Sequence, residues 1–220
     1  MIPLSDASRQ PLRFPIVTAV IIAVNVAVFL LEVADGDAFV LRWALVPAAV
    51  VAGRNWITIL TAMFLHAGWL HILGNMVFLW AFGPEIEDVM GRVRYPTFYL
   101  LGGLLAFGAQ TVVDPTSTVP TLGASGAIAA VMGAFLITYP RDRIRTVLFI
   151  FLFVTVTVVP AALLVGLWFL IQVFSEIGAL VDRQTSGVAF MAHVAGFVFG
   201  AASARFFEIR ERRVAQGLER

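Results

Sequence analysis

At 220 residues, 60% of them hydrophobic and with a mean hydropathy of +0.92, the chain is far more apolar than soluble domains, whose usage is roughly half apolar, and it reads as an integral membrane protein. The absence of cysteine removes disulfides, zinc-thiolate sites and cysteine nucleophiles, and a net charge of +1 offers nothing to nucleic acid. All basic residues are arginine.

Apolar runs long enough to approach the thickness of a bilayer predict helices at about residues 15–34, 69–84, 95–112, 125–139, 158–176 and 188–206. The expected architecture is therefore all-α and polytopic, a six-helix membrane bundle forming one domain over residues 1–220, with short tails at about 1–14 and 207–220. The first run is long and is followed by no small-x-small cleavage site, so it reads as a true helix and not as a leader. An inside N-terminus puts twelve arginines on the inner side and leaves only Arg42, Arg54 and Arg183 outside. Both termini are thus expected in the cytoplasm of a cell with a multi-pass inner membrane.

Two stretches break the pattern. Residues 35–68 form a long outer loop whose Trp43, Trp56 and scattered apolar residues suit a segment lying in the interface. Residues 146–157, TVLFIFLFVTVT, are apolar and β-branched; joined to the next helix they would make a rod of about 43 Å at 1.5 Å per residue. That is too long for a bilayer, so the stretch is expected along the inner interface or at a steep tilt.

The fourth helix carries the chemistry. From Ser125 to the Tyr139-Pro140-Arg141 boundary is about 22 Å, against a hydrocarbon core of about 30 Å, so the helix begins inside the membrane. Its approach, Asp114 to Pro120, contains two prolines and must descend into a protein-lined wet cavity. Ser125 would sit on the floor of that cavity. His193 lies 12 residues before Arg205, at about the same depth, and His71 and Asn75 share one face of the second helix near its outer end. His193, Gly196, Gly200 and Ser203 form one helical stripe, matched by the small residues Gly126, Ala130 and Ala134 on the fourth helix.

An ionisable residue inside the membrane is costly and points to function. Serine plus histidine can run acyl transfer, with Ser125 as nucleophile and His193 as general base. No aspartate lies within a predicted span, so the reading is a dyad. The oxyanion would be held by the Ser125 backbone N–H with the side chains of His71 and Asn75, while Gly123 and Gly126 permit a tight turn and close approach. A metalloprotease lacks its H-E-x-x-H motif, an aspartyl mechanism lacks paired membrane aspartates, and His66 and His71 are poorly spaced for zinc.

The stretches His66–Gly83 (HAGWLHILGNMVFLWAFG), Gly123–Gly126 (GASG) and Ala192–Gly200 (AHVAGFVFG) resemble, in order, the three signatures of rhomboid intramembrane serine proteases. The resemblance covers nearly the whole chain. It implies the same roles for Ser125, His193, His71 and Asn75, no cofactor, and substrates that are single-pass membrane proteins cut near the outer leaflet of the lipid bilayer. It further implies a partly embedded first outer loop, a fifth helix acting as a lateral gate from Trp168 to Gly178, and a capping loop after it. His66 is expected to support the site through a structural hydrogen bond. Glu87 resembles a position that ties helix ends together. The Trp-Arg pair of the outer loop in many rhomboids is reversed here as Arg42-Trp43, so no role is transferred to it. The competing readings are a catalytically silent binder of transmembrane helices and a small-solute permease; the latter predicts an internal repeat that the sequence lacks.

Overall fold

The computed structural model describes residues 1–150, 153–182 and 190–218, with side chains outside the description at 149–150, 175–182 and 190. The chain begins with strand β1 (Ile2–Asp6), followed by helix α1 (Ile16–Asp35), three short helices α2 (Asp37–Trp43), α3 (Pro47–Val51) and α4 (Thr58–Thr61), and a 3-10 turn at Ala62–Phe64. The long helix α5 (Trp69–Val113) comes next, then α6 (Ser125–Thr138), strands β2 (Arg143–Ile150) and β3 (Phe153–Pro160), and helices α7 (Ala161–Asp182), α8 (Phe190–Phe207) and α9 (Arg210–Ala215). By length and composition α1 and α5 can each cross a membrane; α6, α7 and α8 contribute shorter apolar stretches.

The second and third expected helices are the two arms of α5. Gly91 breaks the element with φ +83° and ψ 166°, a conformation that glycine adopts without a Cβ clash. Such a break frees carbonyls of the preceding turn. The chain after α8 supplies partners: the Ile209 N–H donates to the Val89 carbonyl at 3.0 Å and the Arg212 guanidinium to that of Asp88 at 2.8 Å. Part of the short tail expected at about 207–220 is therefore packed against this break, through Ile209 and Arg212.

One expectation is corrected. The protein is mostly helical but not all-α, because the N-terminal residues and residues 143–150 and 153–160 form a three-stranded antiparallel sheet in the order β1-β2-β3. The stretch expected along the inner interface or at a steep tilt contributes to β2 and β3, in which Thr146 pairs with Thr157 and Val147 with Val156. Val, Ile and Thr lose side-chain freedom in a helix and pack well on a pleated sheet, and Pro160 closes the strand before α7 begins.

β1 is clasped to the hairpin by its polar end. Ala7 donates to the Arg143 carbonyl at 2.7 Å, and Arg9 pairs with Asp142 while its guanidinium lies 4.3 Å over the Tyr139 ring. Burial, with the Asp142 carboxylate nearby, pushes the Asp6 carboxyl up to about 6, against the amides of Ser8 and Arg9, which stabilise its charge. The docked strand thus retains a proton that the free strand releases, and docking weakens as pH rises from about 4 to about 6. Hydrogen exchange at residues 2–6, corrected for intrinsic rates, should be faster at pH 7.5 than at pH 5, and Asp6→Asn should remove that difference. A difference that persists in Asp6→Asn would place the titration elsewhere.

Helix α6 runs through the centre, buried from Gly126 to Phe135. Around it α5 and α8 pack closely, and α7 leans on α8 through a stacked pair, Phe169 and Phe197, with centroids 4.2 Å apart. The N-terminal end of α1 is tied down by Glu87, whose carboxylate accepts the N–H groups of Val17 and Thr18 and the Thr18 hydroxyl at 2.8–3.0 Å. A carboxylate at a helix N-terminus satisfies otherwise orphaned donors and faces the positive end of the helix dipole.

Candidate active site

The approach to α6 is held by backbone pairing that a sequence pattern does not reveal. Leu45, between α2 and α3, exchanges both backbone hydrogen bonds with Thr121, and Gly123 donates to the Ala62 carbonyl at 2.8 Å. Gly123 has φ +129°, and a Cβ there would meet the His71 imidazole at 3.0 Å. The turn therefore brings the start of α6 against the start of α5, with Ser125 as the first helical residue.

Ser125 and His193 face each other across the α6–α8 seam, with His193 Nε2 2.6 Å from Ser125 Oγ. Glycine makes that approach possible. A Cβ on Gly196 would strike the Gly126 carbonyl, one on Gly200 the Ala130 carbonyl, and one on Gly133 the Phe197 carbonyl. The stripe of small residues on α8 thus lies directly on the small face of α6, and His193 projects from near the N-terminal end of α8.

The pair opens into a cavity of about 700 Å³ whose walls are mainly apolar, with Phe78, Phe107, Met132 and Trp168 around the polar groups. His71 and Asn75, one turn apart on α5, both line it. The Ala67 N–H donates to His71 Nδ1 at 3.2 Å, so the neutral ring carries its hydrogen on Nε2, the edge that lies against Gly123 and the cavity. Asn75 Nδ2 is buried and has no protein partner among the described residues, which leaves a donor in the cavity wall available to an incoming oxygen. His66 supports this corner by its backbone: its N–H donates to both carboxylate oxygens of Glu32 at 3.1 Å, while its ring packs edge-on against His71 with centroids 5.2 Å apart. The expected structural hydrogen bond at His66 is thus made by the main chain, and neither ring nitrogen has a partner among the described residues.

Gln172 on α7 was not among the residues singled out from the sequence. Its Oε1 lies 2.7 Å from His193 Nδ1, on the side of the imidazole opposite Ser125. The signal was present: Gln172 is the single amide in the apolar run Ala161–Phe174. A search confined to ionisable groups passes over it. Trp168, one turn earlier, has its ring 5.8 Å from that of His193. The gate expected from Trp168 to Gly178 is described in side-chain detail only as far as Phe174, and the expected capping loop, residues 183–189, lies outside the described residues. Between α1 and α5, the Arg42 guanidinium lies 5.2 Å over the Trp43 ring, and the Trp43 carbonyl accepts the Thr61 hydroxyl at 2.8 Å. Neither residue lines the cavity.

The arrangement is that of a helical membrane-type bundle with a serine–histidine pair on the floor of a cavity. The rhomboid domain matches residues 53–208, and the chain belongs to the rhomboid family. It is 31% identical over 133 residues, 59% of its length, to Rhomboid protease GluP of Bacillus subtilis, and 29% identical over 136 residues, 60% of its length, to Rhomboid protein 1, mitochondrial, of Saccharomyces cerevisiae. With RHOMBOID-like protein 6, mitochondrial, of Arabidopsis thaliana it shares 36% identity over 87 residues, 40% of its length. These alignments span 26%, 38% and 28% of the relatives' own chains, so the shared part is well under half of each.

Proposed function

We propose that the chain is an intramembrane serine endopeptidase that cleaves transmembrane protein substrates through Ser125 and His193. The observation that carries this reading is the 2.6 Å approach of His193 Nε2 to Ser125 Oγ, where both residues line the cavity. As Ser125 Oγ attacks the scissile carbonyl carbon, its proton passes to His193 Nε2 and the carbonyl π pair moves onto oxygen. The oxyanion is met by the Ser125 backbone N–H, one of the amides at a helix N-terminus without an intrahelical acceptor, and by His71 Nε2–H and Asn75 Nδ2–H. Collapse breaks the C–N bond, with the proton returned from His193 to the leaving amine. Water then repeats the sequence on the acyl-enzyme, and the acid leaves.

The topology proposed with it has six spans, the break at Gly91 turning the two arms of α5 into separate crossings. Both termini face the cytoplasm, as the arginine distribution favours, and the segment α2 to α4 lies partly embedded at the outer side. Substrates are single-pass membrane proteins arriving laterally past α7, whose outward face carries Leu163, Leu167, Leu170, Ile171 and Phe174 toward lipid.

The test is labelling of purified, liposome-reconstituted protein with a fluorophosphonate, the modified residue being located by peptide mapping, beside cleavage of a single-pass substrate. Label on Ser125 together with cleavage supports the proposal. Intact, folded protein that neither labels nor cleaves would instead favour a silent binder of transmembrane helices.

Loss of an oxyanion donor should slow the reaction without abolishing it. Asn75→Ala is expected to lower kcat by about 10² to 10³, with KM little changed, since its donor acts on charge that develops after attack. Because Asn75 Nδ2 has no protein partner among the described residues, the melting temperature should stay near wild type. A variant that is destabilised yet normally active per folded molecule would assign Asn75 to packing.

A further inference from the structure

We propose that Gln172 is a positioning residue for the proposed protease reaction, holding His193 in the tautomer that can accept the Ser125 proton. The inference rests on the reading of Ser125 and His193 as nucleophile and base. A neutral imidazole has one N–H, and the group that bonds one ring nitrogen decides which nitrogen carries it. An amide oxygen only accepts. With Gln172 Oε1 2.7 Å from Nδ1, the hydrogen is drawn to Nδ1, and Nε2 presents a lone pair to the Ser125 hydroxyl 2.6 Å away. In the other tautomer Nε2 would donate to Ser125 and could not take its proton.

The same contact acts once the proton has moved. Imidazolium has two N–H groups, and Gln172 Oε1 is already in place to accept the one on Nδ1. In soluble serine proteases a buried aspartate performs this task. Within a low-dielectric bundle a carboxylate would carry a large desolvation penalty, whereas a neutral amide orients the ring at far smaller cost. Gln172 also rides on α7, one turn beyond Trp168, whose ring lies 5.8 Å from that of His193. The orientation of the base therefore depends on α7 being seated against α8.

The experiment combines Gln172→Leu, Gln172→Met and Gln172→Glu with 15N-histidine NMR of the solubilised protein, whose three histidines are distinguished by substitution. In the wild type, His193 is expected to carry its hydrogen on Nδ1. Gln172→Leu and Gln172→Met should lower kcat by about 10- to 100-fold, with KM within about twofold, and should mix the His193 tautomers. Gln172→Glu keeps an acceptor oxygen of the same reach and should hold the hydrogen on Nδ1, even where desolvation of its carboxyl group lowers kcat. Wild-type protein with the hydrogen on Nε2 overturns the proposal whatever the variants do. So does a Gln172→Leu protein with wild-type kcat, or the same mixture of His193 tautomers in the Leu and Glu variants, which would mark a packing role. If the wild type neither labels nor cleaves, the protease reading fails on its own terms, and the tautomer measured in that same protein still decides what Gln172 does.

Discussion

Ser125→Ala is expected to reduce cleavage of a single-pass substrate in liposomes by about 10⁴-fold or more, and to abolish fluorophosphonate labelling altogether. The substitution removes the atom that forms the acyl bond, and no electrostatic support elsewhere in the cavity can replace it. Ser125 is only partly buried, and among the described residues its side chain bonds His193 alone, so the structural cost should be about 1 kcal/mol. His193→Ala should cause a loss of similar size, and the double variant should be no worse than either single one, because nucleophile and base act as a unit. Turnover, labelling and melting temperature measured on the same preparations separate loss of chemistry from loss of fold. Cleavage that survives in pure Ser125→Ala would remove Ser125 from the mechanism.

Gly200→Val should have the largest effect on the fold. A Cβ at this position would lie closer than 3.0 Å to the carbonyl oxygen, carbonyl carbon and Cα of Ala130, all of them backbone atoms that cannot swing aside. The two helices would have to part, and the penalty should exceed the usual overpacking range of about 1–3 kcal/mol. At roughly 2–4 °C per kcal/mol for a chain of this size, the melting temperature should fall by about 10 °C or more. Activity per folded molecule should fall as well, since Ser125 and His193 sit on opposite sides of the widened seam. Gly108→Ala is the matched control: nothing lies within 4 Å of its added Cβ, and stability should not decline. Equal melting temperatures for the two variants would show that the close α6–α8 approach is not maintained in the membrane.

The apolar runs were legible because helices of this kind are written in composition alone. Each expected run overlaps a helix among the described residues, although residues 158–160 belong to β3, and the second and third runs fall in the single element α5, whose break at Gly91 lies in the gap left between them. The run at 146–157 was not legible as a strand, because its partners are a hairpin return and a segment more than 140 residues earlier, and hydropathy has no register for such pairing. The short helices between α1 and α5 were equally silent, since their order comes from Leu45 pairing with Thr121 across the chain.

For the candidate site, the sequence by itself determined which groups were available and the depth expected of each. Helical rise converts residue counts into distance along a bilayer, so Ser125, His193, His71 and Asn75 could be assigned to one layer, and the small residues on α6 and α8 marked two faces able to meet closely. Only the tertiary structure decided the lateral arrangement. The 2.6 Å contact between Ser125 and His193, the His71 tautomer set by the Ala67 amide, and Gln172 behind the imidazole all depend on how separate helices are rotated against one another. Rotation is set by the contact of whole faces, backbone carbonyl against glycine, and that sum over many residues is not carried by the spacing within any one helix.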